Sequence, residues 1–69
     1  RELIPIEVKY SKRPTLSHAK HLRTFMQEYP KAKRAFIVAQ NEHDIMLDAA
    51  MIATSWKKFL HKTLDTLLN

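Results

Sequence analysis

The sequence predicts an α/β fold, a β-α-β-(β)-α succession with parallel strand pairing, and three observations carry that prediction. Leu3 to Tyr10, LIPIEVKY, alternates with a period of two, the signature of a strand with two unlike faces. Residues 16 to 29 repeat their apolar side chains at helical spacing, as an amphipathic helix does. Ala35 to Ala39, AFIVA, is a short unbroken apolar run of the kind found in strands covered on both faces. A connection of some two dozen residues containing a helix argues for parallel pairing through a right-handed crossover, the usual outcome for a βαβ unit.

Each element follows from its residues. In LIPIEVKY, Ile4, Ile6, Val8 and Tyr10 share one face, while Leu3, Pro5, Glu7 and Lys9 share the other. Glu7 and Lys9 therefore point the same way, on the polar face of the strand. Pro14 stops the strand and biases Arg13 away from helical geometry. Thr15 is the N-cap, since its hydroxyl can accept from the free amides of a first turn. Leu16, Ala19, Leu22, Phe25, Met26 and Tyr29 then form one apolar stripe, and His18, Lys20, His21, Arg23, Gln27 and Glu28 occupy the other side. Pro30 closes the helix, and Lys31-Ala32-Lys33-Arg34 leads into the second strand.

Gln40 to Asp44 is a polar turn. Residues 45 to 53, IMLDAAMIA, suit a strand at either end and a helical turn in the middle, and Ala50 to Ala53 is read as a short strand. Thr54 or Ser55 caps a final helix, with Trp56, Phe59, Leu60, Thr63, Leu64, Leu67 and Leu68 along one side and Lys57, Lys58, His61, Lys62 and Asp65 along the other. That apolar side covers the sheet or meets another chain.

Composition sets the bounds. A chain of 69 residues makes one small domain or domain fragment whose stability is marginal without a partner or further sequence. It opens on Arg1 directly before the first strand, which reads as a piece cut from something longer. There is no Cys, so there are no disulfides, no thiolate zinc site and no cysteine nucleophile, a pattern that fits the cytoplasm. There is no Gly, which excludes Gly-rich phosphate loops from this stretch. No apolar run approaches the length needed to span a bilayer, and no signal peptide is visible. The net charge of +5 is unevenly spread: residues 1 to 34 hold nine Lys and Arg against three Glu, while residues 35 to 69 hold three Lys against four acids. The basic character belongs to the first half, where it suits either a phosphate backbone or an ordinary solvated surface.

Few residues can carry chemistry. Glu7-Val8-Lys9 is either a surface ion pair or a carboxylate that holds a divalent metal beside an ammonium that orients a water. His18-x-x-His21 on a helix reads as two exposed histidines, because no third ligand is near. Lys9, Lys12, Arg13, Lys20 and Arg23 can track a nucleic-acid backbone, or simply line a solvated helix face. Trp56 and Tyr29 can stack on a base, but on apolar stripes both read as core.

The stretch LIPIEVKYSKRPTLSHAKHLRTFMQEYP, followed by KRAFIV and by a Trp that opens a final helix, resembles the end of the C-terminal domain of unknown function in a widespread group of predicted bacterial and archaeal AAA+ ATPases. That domain is similar to the PD-(D/E)XK, or restriction-endonuclease-like, nuclease fold. The resemblance spans nearly the whole chain as a succession of elements and is most specific over IPIEVKYSKRPT. It implies that Glu7 is the metal ligand and Lys9 the catalytic cation of a nuclease-like site, with Mg²⁺ as the metal in the parent protein. The Asp that completes such a site has no counterpart here and is expected upstream of Arg1. One carboxylate makes a poor Mg²⁺ site, so the fragment is expected to be inactive as a nuclease.

The resulting expectation is a nuclease-like accessory domain of an AAA+ ATPase, associated with DNA or RNA through Lys12, Arg13, Lys20 and Arg23. The alternative is a protein-interaction or structural domain that docks through its C-terminal amphipathic helix. An exposed strand edge also allows pairing with a second copy as a homo-oligomer.

Overall fold

A computed structural model describes residues 2 to 68. Strand β1 (Ile6–Val8) is followed by a 3₁₀ turn (Leu16–Ala19), helix α1 (Lys20–Glu28), strands β2 (Ala35–Ala39), β3 (Ile45–Asp48) and β4 (Met51–Ser55), and a C-terminal helical rod. The rod runs head to tail through α2 (Trp56–Lys58), a π-helical stretch (Phe59–Thr63) and α3 (Leu64–Leu68). The sheet has the order β1-β2-β4-β3. The pairs β1/β2 and β2/β4 are parallel, and β3/β4 is antiparallel. The α/β class and the parallel pairing are thus as the sequence indicates.

The sequence indicates one short strand over residues 50 to 53, matching β4, whereas the structure adds β3 before it. Residues 45 to 55 form a hairpin of two strands, and Ala50 belongs to the turn rather than to a strand beginning there. Its cause is local: the Asp48 carboxylate accepts from the Ala50 backbone N–H at 2.8 Å, the side-chain-to-backbone bond by which Asp nucleates turns. The register also shifts between Met46 and Asp48, a bulge that breaks the alternation on which a period-two reading depends.

Strand β2 is buried along its whole length, so its continuous apolar run does report cover on both faces. One face gathers Ala35, Ile37 and Ala39 with Met51 and Ala53 beneath Ala19 and Leu22 of the first helical segment. The other gathers Phe36 and Val38 beneath Phe59, with Ile4, Ile52, Leu64 and Leu67 packed around them. The small residues on the first face let the helix lie close to the sheet, and the rings of Phe36 and Phe59 meet at 6.1 Å on the second.

The first helix begins at Thr15, as its sequence indicates, but its cap is built with a histidine. The Thr15 backbone N–H donates to His18 Nδ1 at 2.9 Å, the part usually taken by Glu or Gln three residues into a helix. Leu22 is buried and Met26 packs against the core, whereas Leu16 and Tyr29 are exposed. Phe25 and Tyr29 stack on each other at 4.5 Å instead. The C-terminal rod likewise spends less of its stripe than the spacing suggests. Ser55, not Thr54, is the cap, accepting from the Lys58 N–H at 3.1 Å, while Trp56, Leu60 and Leu68 are exposed.

The π-helical stretch explains that difference. With the Leu64 N–H bonded to the Phe59 carbonyl, five residues complete a turn instead of four. Phe59 and Leu64 both face the sheet as a result, and Leu60 is turned outward. A straight α-helical count would have grouped Leu60 with them.

Candidate nucleic-acid interface

Strand β1 places Glu7 and Lys9 side by side, with Lys9 Nζ 2.8 Å from Glu7 Oε2. The alternation along β1 is as its sequence indicates, but the exposure of the two faces is reversed. Glu7 pairs in register with Ile37, which lies in the cluster under the first helix, so the polar face of β1 is turned toward that helix. The Glu7 side chain keeps 21% of its exposure, whereas on the other face Val8 keeps 75% and Tyr10 92%. The C-terminal rod covers Phe36 and Val38 of β2, with Ile4 just before β1 packed beside them, and leaves Val8 and Tyr10 open.

The donors on this face offer a divalent cation a single carboxylate. Glu7 is the sole carboxylate of β1 and is neutralised by Lys9. Among the described residues no group of three His, Cys, Asp or Glu is placed to share a metal ion. His18 is occupied in the helix cap, and His21 is exposed. Mg²⁺ is usually held by one or two carboxylates with waters or phosphate oxygens, and this strand supplies one, already paired with Lys9.

The basic residues divide into two groups. Lys12 and Arg13 are exposed on the loop that leaves β1, and this loop is held at both of its flanks. The Gln40 N–H donates to the Ser11 carbonyl at 2.8 Å, and the Arg13 N–H donates to Ser11 Oγ at 3.2 Å. Pro14 beside them is buried. Lys20 is exposed at the start of α1. Arg23 departs from this group: its guanidinium bonds Asp48 at 3.2 Å. It borders a groove of about 440 Å³ with Met26, Gln27, Lys33 and Met51, at the opposite end of the parallel strands.

Two aspartates are tied down. The hydrogen bond from the Ala50 N–H holds the Asp48 carboxyl below its ordinary value, and Arg23 adds to it against a smaller opposing effect of burial. For Asp44, burial raises the carboxyl, but the hydrogen bonds from Lys58 and Thr54 together outweigh it and leave the group lowered. Lys58 is therefore committed to fixing the start of the C-terminal rod to the loop before β3.

The C-terminal ends of the parallel strands hold features that the sequence did not single out. Asn41 is 4% exposed, and its Nδ2 donates to the carbonyls of His43 at 2.7 Å and Ala53 at 3.1 Å. Those bonds pin the Gln40–Asp44 loop to β4. An Asn inside a polar turn gives no hint of such burial, because turn residues are ordinarily solvated. Trp56 and Tyr29, which read as core on their stripes, are 47% and 46% exposed. Trp56 stands between two cavities, one shared with Val8, Tyr10, Val38 and Gln40, the other with Asn41, Glu42, Ser55 and Lys57.

No helix among the described residues is long and apolar enough to cross a membrane. In comparison with known proteins, the chain matches no protein-family model, no curated protein and no solved structure.

Proposed function

We propose that this chain is a nucleic-acid-binding module, a restriction-endonuclease-like scaffold that serves as an accessory domain of an AAA+ ATPase in the cytoplasm. The observation that carries the reading is the Lys12–Arg13 loop. Two adjacent cations project from a segment fixed by the Ser11–Gln40 bond and the buried Pro14, and neither side chain has an ion-pair partner among the described residues. Cations held in place and left unneutralised favour a polyanion, since each phosphate they contact releases bound counterions. Lys20, exposed at the start of α1, adds a further cation. Arg23 contributes less, being paired with Asp48. Glu7 and Lys9 neutralise each other, and no catalytic step is assigned to them in this chain; a metal-dependent reaction in the parent protein requires carboxylates from elsewhere.

The test is a fluorescence-anisotropy titration with labelled duplex and single-stranded DNA across a salt series. Affinity falls steeply with salt, and a Lys12→Ala/Arg13→Ala double variant lowers the slope of log K against log salt by about 2. Equal salt slopes for the double variant and the unaltered chain overturn the assignment of this loop.

A second reading, a protein-interaction domain, is favoured by the outward apolar face of β1, where Ile6, Val8 and Tyr10 are exposed on an edge strand. Docking through the apolar stripe of the C-terminal helix has less support, since Phe59, Leu64 and Leu67 pack on the sheet. An open strand edge next to an uncovered apolar face suits a strand added from a partner or from a second copy of the chain.

A further inference from the structure

Two exposed aromatic residues, Tyr10 and Trp56, lie close to cations that have no ion-pair partner among the described residues. Tyr10 and Trp56 border one cavity of about 150 Å³ at the C-terminal ends of β1 and β2, floored by Val8, Val38 and Ala39. Tyr10 is 92% exposed and Trp56 47%, so both rings offer surface to a ligand. Lys57 Nζ lies 5.7 Å from the centre of the Trp56 ring. Lys57 lines the neighbouring cavity and not the one shared with Tyr10. The basic loop of Lys12 and Arg13 begins two residues after Tyr10.

We infer that this cavity is a stacking site for an unpaired base of single-stranded nucleic acid, with Trp56 and Tyr10 as its walls and Lys12, Arg13 and Lys57 as contacts for the flanking phosphates. The inference rests on the proposed nucleic-acid function and specifies its substrate class. Three properties converge on it. Apolar floor and aromatic walls suit the face of a base, which stacks whatever its identity. Lys12 and Arg13, which follow Tyr10 in the chain, and Lys57, beside Trp56 in the neighbouring cavity, complement a phosphodiester chain and repel a basic partner. The cavity is too small for a duplex to enter, whereas a base already out of a stack can be accommodated without the cost of unpairing.

Trp56 is the only tryptophan in the sequence, so the unaltered chain reports its own occupancy. Oligothymidylate of about ten nucleotides, long enough to cover a small binding surface, is titrated into the chain while Trp56 fluorescence and probe anisotropy are followed together. Saturable quenching that tracks the anisotropy is the expected result, with duplex of the same length binding more weakly and leaving the fluorescence unchanged. Trp56→Ala weakens oligothymidylate binding roughly 5- to 150-fold, as loss of one stacked base does. Trp56→Phe retains most of it, which separates stacking from a fault in folding. Salt-sensitive binding of both nucleic acids without quenching overturns the stacking site and leaves the proposed function standing. Absence of binding to either, at low salt, overturns both.

Discussion

Asp48 shows how one side chain can do local and distant work together. Its carboxylate closes the β3–β4 turn through the Ala50 N–H and also reaches Arg23 on α1. Both contacts favour the charged form, which is why its carboxyl lies below the ordinary value. A depressed carboxyl contributes stability that is fully present above the unfolded-state value and is lost as pH falls through the lower folded-state value. Thermal melts between about pH 5 and pH 2 should therefore decline less steeply for Asp48→Asn than for the unaltered chain. The difference above that range should stay under about 1 kcal/mol, because the ion pair is partly exposed. Identical acid limbs would show that the native carboxylate gains nothing from Ala50 and Arg23. Neither bond could be read from the sequence, since IMLDAAM shows an Asp before two alanines and says nothing of an arginine 25 residues earlier. Thr15 was legible as a cap; that His18 completes it was not, because histidine is a rare substitute for Glu at that position.

At the scale of elements, periodicity located nearly every segment but misjudged which side of two of them meets the core. The period of two in β1 is real. What it could not show is that Glu7 on the charged face is the more sheltered while the apolar face stands open at Val8 and Tyr10. In the C-terminal rod the apolar spacing is real too, but the wider π-helical turn changes its phase. Leu64 is half-buried against Phe36 and Val38, whereas Leu60 is 54% exposed. Denaturant unfolding should then separate two leucines that a regular α-helix would treat alike. Leu64→Ala should lower stability by about 1–2 kcal/mol, less than a fully buried leucine would, while Leu60→Ala should stay within about 0.5 kcal/mol. Equal losses would mean that Leu60 is covered in solution and that the rod's outer side is not free.

For the molecule as a whole, the class of fold was legible because AFIVA can be satisfied only with cover on both faces, and the two amphipathic helices supply that cover. The strand order was not legible, because nothing in a linear pattern says that β4 lies between β2 and β3. Ile37 is fully buried at the centre of this arrangement, between Glu7 and Ala53. A core this small supplies only about 3–5 kcal/mol in total, and Ile37→Ala costs about 2–5 kcal/mol. We expect circular dichroism of Ile37→Ala to show a chain largely unfolded at room temperature, and Ile37→Val, at about 0.5–1.5 kcal/mol, to fold with a lowered melting temperature. A well-folded Ile37→Ala would place the centre of stability elsewhere. The candidate site was legible in part. Lys12 and Arg13 were evident as cations before a proline, while the meeting of Tyr10 with Trp56 depends on the pairing of strands far apart in sequence.

The position of β4 also governs the order in which the molecule can be made. Strand β2 has β1 on one side, but its other neighbour and the cover for Phe36 and Val38 come from residues after Ala50. A chain synthesised only as far as Ala39 carries an apolar strand open on one edge and one face. Pairings between distant segments form late and leave such edges open to other chains. Nine Lys and Arg against three Glu among the first 34 residues give such unfinished chains a like charge, which opposes their association until the last strand enters the middle of the sheet.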